Sequence, residues 1–401
     1  MTVKTIKNSM LKRSNFTLNF MLKLLFIPIF FELVIGGSGH YSELGPLTLR
    51  MFLYFIAVCL SLIFYFFGKS IKKNVVIIIT SFTICCLLSI FIGFLNHAPI
   101  SAILEDFKPL SFFYILPFFS LAIKSIDDIN KINKIIKVGS VILALVYLLV
   151  ILLLVTGKLD FLSFYGKQSE IGEVMFRNET LFFYKGFLYL CVGFFFFLLS
   201  KGKFNFLVLL LLFSSIVLTL TRGFILFTLI ILIYYVFFIS KNILLKWAVS
   251  LIGLFAIIIL VPILFETLGD KSDSDTARYV QIEQVISAID PISFLIGHGF
   301  GVGVPIRKVH MELSFLEIFH KQGLIGISFW AGLFIHIFIM YFNIKYKKYK
   351  ELALPFLLSV VFIILQSMTN PYVNNPIGLT MILITIVVFS KLLDFQKNFK
   401  L

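Results

Sequence analysis

Long apolar runs separated by short charged clusters dominate the chain, and they set the first expectation. Stretches such as VVIIITSFTICCLLSIFIGFL (75–95) and VGSVILALVYLLVILLLV (138–155) reach or approach the ~20 residues a bilayer-spanning helix requires. Backbone groups in lipid must satisfy their own hydrogen bonds, so these runs predict helices and not open strands. Reading apolar runs between charges predicts about twelve spans: 17–36, 48–67, 74–95, 109–123, 135–156, 181–200, 204–220, 223–240, 247–265, 323–343, 352–369 and 377–390. The expected fold is an all-α, polytopic integral membrane protein forming one membrane domain over 1–401.

An even number of spans places both termini on one side, and charge decides which. The terminal segments and the loops on their side hold most of the lysines, including Lys4, Lys7, Lys12, Lys72, Lys73, Lys131, Lys134, Lys345, Lys347 and Lys348. The same loops contain only four acids, Asp127, Asp128, Glu351 and Asp394. Cytoplasmic loops concentrate Lys and Arg, so both termini are expected in the cytoplasm. Two extracytoplasmic loops are long, 157–180 and 266–322, and the second is too long for a mere connector in a compact bundle.

Composition agrees: 60% of residues are hydrophobic and 14% charged, against roughly 25% charged in an average soluble domain. The net charge of +15 is accounted for by topology and calls for no nucleic acid. Cys59, Cys85, Cys86 and Cys191 all lie inside apolar runs, a placement that fits neither a zinc site nor a disulfide framework. The basic N-terminus precedes an apolar stretch without a small-residue cleavage site, so it reads as a retained first helix.

The candidate chemistry lies in the predicted outer segments. Arg222, in LTLTRGFILF, stands alone where spans seven and eight meet, and a charge that close to hydrocarbon points to function or to interfacial anchoring. In DKSDSDTARYVQIEQVISAIDP, Asp273 or Ser274 can cap a helix beginning near Asp275 and closed by Asp290-Pro291. Arg278 then sits in the first turn against the helix macrodipole, which implies an anionic partner: a ligand, Asp275 or Glu283. The run GHGFGVG (297–303) lacks the strand and helix of a nucleotide-binding fingerprint and suits a tight turn or a close backbone approach.

The stretch RKVHMELSFLEIFHKQG (307–323) is unusually polar for this chain. A helix from about 309 would align His310, Ser314, Glu317 and Lys321 on one face, with His310 and Glu317 roughly 10 Å apart along the axis. His310 and His320 would point in different directions, so no metal site is expected. The segment reads either as a solvated juxtamembrane helix or as a catalytic face. Glu32 is a lone carboxylate within span one, and Gln366, Thr369, Asn370 and Asn374 cluster at the outer end of span eleven.

The order TRG (221–223), an Arg-led helix, GHGFG (297–301), and then His310 followed by GLIG (323–326) resembles the O-antigen polymerase and ligase superfamily over roughly 205–345. That resemblance implies a metal-independent, C-type glycosyltransferase with no cofactor, acting on undecaprenyl-pyrophosphate-linked glycan at the outer face of the bacterial cytoplasmic membrane. A polymerase would move the growing glycan onto an incoming lipid-linked repeat unit of an O-antigen, capsule or exopolysaccharide, served by a flippase and a chain-length regulator. A ligase would move it to lipid A-core or protein, and a lipid-linked oligosaccharide flippase is a third alternative. Under the polymerase reading Arg222, Arg278 and the auxiliary Arg307 bind pyrophosphate. His310 is then the general base with Glu317 orienting it or sharing the role, and Tyr165, Tyr279 and Glu312 meet the glycan.

Overall fold

The computed structural model describes residues 20–37, 39, 43–44, 47–66, 71–200, 202–239, 243, 246 and 272–398. The predicted ninth span (247–265), the basic residues before it at 4, 7, 12 and 13, and the side chains of Asp273 and Ser274 lie outside the described set. A helix over 20–35 (α1) is followed by a short hairpin of β1 (Glu43–Leu44) and β2 (Leu47–Thr48). Then come α2 (Leu49–Phe66), α3 (Lys73–Leu95), α4 (Ile100–Ser111), α5 (Leu116–Ala122) and α6 (Ile126–Val155). Next, α7 (Phe161–Ile171) leads into an antiparallel hairpin of β3 (Val174–Phe176) and β4 (Phe182–Tyr184), and α8 (Leu188–Leu198), α9 (Asn205–Leu218) and α10 (Arg222–Tyr234) follow. The last part comprises α11 (Ser272–Ala288), α12 (Pro291–Ile296), α13 (Ser314–Phe342), α14 (Lys347–Gln366) and α15 (Pro376–Asn398).

Among the described residues, seven helices are long and apolar enough to cross a membrane: α2, α3, α6, α10 with its π-helical extension to Ile239, α13, α14 and α15. The apolar segments Lys185–Leu198 and Asn205–Leu218 are shorter. The predicted span 109–123 is corrected: helix begins already at Ile100 and is interrupted by a 3-10 turn at Phe112–Ile115. Pro109 and Pro117 flank that break, and proline can neither donate to the helical ladder nor avoid the preceding turn. The long segment before α13 contains α11, the helix expected between Asp275 and Asp290-Pro291, and the short α12.

Side-chain bonds sort the connections into two ends. At one end Lys72 pairs with Asp394 and donates to Ser390 Oγ at 2.9 Å, and Gln396 bonds the backbone of Asn343 and Lys345. At the other, Asn96 donates to His298 O at 2.8 Å, Ser314 N–H to Ser367 O at 3.1 Å, and Asn374 to Glu317 at 2.8 Å. α15 forms the centre of the bundle, with nearly every side chain from Ile377 to Phe389 buried.

The expectation of a lone Glu32 is corrected. Arg50, only 6% exposed, clamps both carboxylate oxygens at 2.9 and 3.0 Å and also donates to Gly37 O at 2.5 Å. A buried carboxylate without such a partner would shift to its neutral form, so the pair fixes α1 against α2 as a charged lock.

The glycine-rich turn does what its sequence suggested. Gly297, Gly299 and Gly301 have φ of +75°, +86° and +82°, which side chains rarely adopt. The turn threads between α3 and α13, with Gly299 N–H bonding Lys321 O at 3.0 Å and Phe300 N–H bonding Ser89 O at 2.9 Å. A Cβ on Gly299 would collide with the backbone of Gly93. A further left-handed glycine, Gly323 at φ +61°, breaks α13 and separates residues 314–322 from the membrane-length part that follows. Gly299→Ala is expected to cost about 3 kcal/mol from strain plus collision. A drop of several degrees in the melting temperature of the purified protein checks this, and an unchanged melting temperature contradicts it.

Candidate active site

A cavity of about 340 Å³ opens at the end of the bundle that carries the glycine turn. α4 contributes Asp106, the β3–β4 turn Arg177, the position directly after β4 Lys185, the 310–322 segment His310, Glu317, Lys321 and Gln322, and the turn before α15 Asn370, Asn374 and Asn375. No two of these groups of residues are close in sequence, and tertiary packing alone assembles them.

Lys321 is the hub. Its ammonium, 3% exposed, lies 2.7 Å from Asp106 Oδ1, 2.7 Å from Glu317 Oε1 and 2.5 Å from Val309 O. The second oxygens are also held: Asp106 Oδ2 accepts Gly301 N–H at 2.7 Å, and Glu317 Oε2 accepts Asn374 Nδ2 at 2.8 Å. Fully hydrogen-bonded charges of this kind tolerate burial, whereas either carboxylate alone would not. His310 caps the cluster, with Nδ1 3.5 Å from Asp106 Oδ1 and 3.7 Å from Glu317 Oε1 and half of its side chain exposed. The interaction with Glu317 raises the His310 pKa above its ordinary value, against the opposing effect of burial.

The expected separation of about 10 Å between His310 and Glu317 is therefore corrected. Helix α13 begins at Ser314 and not near 309, because Leu313 is extended (φ −93°, ψ 103°). Ser314 spends its N–H on Ser367 O and its hydroxyl on Asn370 O, both at 3.1 Å, and these tertiary bonds fix the helix start. The extended residues before it fold His310 back over Glu317. Of the anionic partners open to Arg278, a ligand, Asp275 or Glu283, the structure pairs it with Asp275 and adds Glu312, 34 residues away.

Asp106, His310 and Glu317 form a metal-capable cluster among the described residues, with ligand atoms within 4.8 Å of one another. The Lys321 ammonium already touches both carboxylates, so a divalent ion binding these oxygens would have to displace a fixed cation. His320, expected to point elsewhere, is buried and stacks on His298 with ring centroids 4.5 Å apart.

The three predicted arginines come together as one network. Arg222 meets Asp275 at 3.2 Å, Arg278 meets Asp275 and Glu312 at 3.1 Å each, and Arg307 meets Glu312 at 2.5 Å. These side chains are 30–44% exposed and do not line the cavity, though Thr221, next to Arg222, does. Exposed ion pairs are worth roughly 0–1 kcal/mol, so an incoming anion can replace a carboxylate at small cost. Glu312, expected at the glycan, is committed to Arg278 and Arg307. Tyr279 is 69% exposed and Tyr165 packs on Phe161 and Phe176, and neither lines the cavity.

Sequence reasoning gave no role to Asp106, Arg177 or Lys185. Asp106 and Arg177 lie in short polar segments and Lys185 within the predicted span 181–200, and no spacing links them. Asn374 was visible as part of a polar cluster, and the structure places it on Glu317.

No family model matches the chain. Over 368 residues, 90% of this chain and 92% of the relative, it is 30% identical to a protein from Shigella flexneri named O-antigen polymerase. Identity at this level across nearly the whole of both chains, carried on an apolar helical bundle, is more than a shared motif. The chain belongs to the O-antigen polymerase family.

Proposed function

We propose that the chain polymerises undecaprenyl-pyrophosphate-linked oligosaccharide repeat units at the outer face of the bacterial cytoplasmic membrane. It has twelve spans and cytoplasmic termini, and a flippase and a chain-length regulator act beside it. The observation that carries the reading is His310, set at the mouth of a cavity with Nδ1 against two carboxylates that Lys321 fixes.

In this reading the carboxylates hold the imidazole in the tautomer with a proton on Nδ1, leaving Nε2 to accept one. A hydroxyl of the incoming lipid-linked repeat gives its proton to Nε2 as its oxygen bonds the anomeric carbon of the growing glycan. The bond from that carbon to the pyrophosphate oxygen breaks, and its electron pair leaves with undecaprenyl pyrophosphate. Two carboxylates and one ammonium leave the base cluster with one net negative charge, which stabilises the imidazolium that forms. Arg222, Arg278 and Arg307 receive the pyrophosphate, exchanging exposed carboxylates for phosphate oxygens.

His310→Ala, Arg222→Ala and Arg278→Ala should each abolish chain extension while the protein still accumulates in the membrane, the base alone contributing about 10²–10⁴-fold. Glycan ladders on gels read this directly: loss leaves single-repeat products, and full ladders from all three variants contradict the assignment. Polymer stranded on its lipid carrier after gene deletion would instead indicate a ligase.

Since His310 must be neutral to accept a proton, activity should fall as pH drops through a pKa above 6.5. Glu317→Gln removes the carboxylate that raises this pKa, so the acid limb of the rate profile should move to lower pH. An acid limb unmoved by that substitution would count against His310 as the base.

A further inference from the structure

The charged residues lining the cavity divide into two groups. Asp106, Glu317, Lys321 and His310 make the base end, which carries one net negative charge when His310 is neutral. The others are Arg177, in the turn between β3 and β4, and Lys185, the residue directly after β4. Among the described residues neither has a carboxylate in ion-pair range, whereas Arg222, Arg278 and Arg307 each have one at 3.2 Å or closer.

The hairpin holds these cations rigidly. Arg177 N–H bonds Leu181 O at 2.8 Å, and the Asn178 side chain closes the turn by accepting from Thr180 N at 2.9 Å and Leu181 N at 2.6 Å. Lys185 N–H bonds Glu173 O at 3.2 Å at the other end. Behind the strands, Phe176 and Phe182 join the Phe161, Phe164, Tyr147 and Phe187 rings, and the Arg177 guanidinium lies 5.9 Å over the Phe183 ring. The Arg177 side chain is exposed, and among the described residues it has no carboxylate as counter-charge. An anionic ligand entering the cavity would supply that counter-charge.

We propose that Arg177 and Lys185 are the diphosphate contacts of the cavity itself, binding the polyprenyl diphosphate that leaves in each transfer. The proposal rests on the polymerase reading and adds to it a division of charge. When the sugar–oxygen bond breaks, its electron pair stays on the diphosphate, which gains one negative charge, and the acceptor proton goes to His310. The three-arginine network, with three guanidinium charges against two carboxylates, offers one net positive charge at the rim. Arg177 and Lys185 add two uncompensated charges on the cavity wall, where developing charge is stabilised without first breaking an ion pair. Arg177 fits the bidentate half of that contact and Lys185 the point-charge half.

Direct binding tests this without relying on turnover. Purified full-length protein in lipid nanodiscs is titrated with undecaprenyl diphosphate, read by displacement of a fluorescent polyprenyl diphosphate. Wild type should bind. Arg177→Gln and Lys185→Gln should each weaken binding by about tenfold, with Arg177→Lys recovering part of the loss. Both residues lie in or directly after a hairpin at the bundle end, and an unchanged melting temperature for each variant separates lost contact from lost fold. A double Arg177→Gln, Lys185→Gln protein that binds as tightly as wild type overturns this assignment and leaves the polymerase reading standing. A wild-type protein that binds no polyprenyl diphosphate overturns both.

Discussion

The ammonium of Lys321 is the interaction on which the site depends. Asp106 and Glu317 are buried carboxylates from segments more than 200 positions apart, the Asp106–Lys321 separation being 215 residues. Neither carboxylate would remain charged in that environment without a cation between them, and removing one partner of a buried pair typically costs about 3–5 kcal/mol. The same ammonium also holds Val309 O, next to His310, so one side chain sets the charge of the cluster and the position of the imidazole. The glycine turn belongs to this arrangement: Gly301 N–H saturates Asp106, and Gly299 N–H bonds the backbone of Lys321 itself.

The apolar runs made most of the bundle legible, because in lipid a helix is the only local solution to the backbone's hydrogen bonds. What the runs did not reveal were features set by tertiary contacts. The start of α13 at Ser314 depends on Ser367 and Asn370, more than 50 residues away, and hydropathy does not carry that information. Glu32 looked isolated for a related reason: its partner Arg50 lies 18 residues away, beyond an intervening hairpin. Gly323 could be read as the foot of its span because a left-handed break needs glycine wherever it occurs.

Legibility of the site followed the same rule. Arg222 stood out as a charge at the predicted membrane edge, His310 as an imidazole in a polar cluster, and Arg278 as a cation in an expected first turn, although α11 starts at Ser272 and places Arg278 in its second turn. Asp106 and Arg177 are ordinary charges in short polar segments and Lys185 a single lysine near the start of an apolar run, and only the cavity gives them a common role. A helix face does join Glu317 and Lys321, four residues apart in α13, but His310 precedes the helix and reaches them through the extended residues before Ser314. The two aromatic candidates do not line the cavity, for Tyr165 is engaged in the hairpin's ring cluster and Tyr279 is exposed elsewhere on the surface.

Base end, cavity and cationic rim together amount to one claim, that this chain joins lipid-linked repeats to one another through His310. The most direct measurement is turnover by the purified protein on a single, defined undecaprenyl-pyrophosphate-linked repeat, with products resolved by length and released carrier counted. The account predicts a ladder of products differing by one repeat, with one undecaprenyl pyrophosphate released for every bond formed. Intact substrate with no ladder, or carrier released by hydrolysis without chain growth, would contradict it.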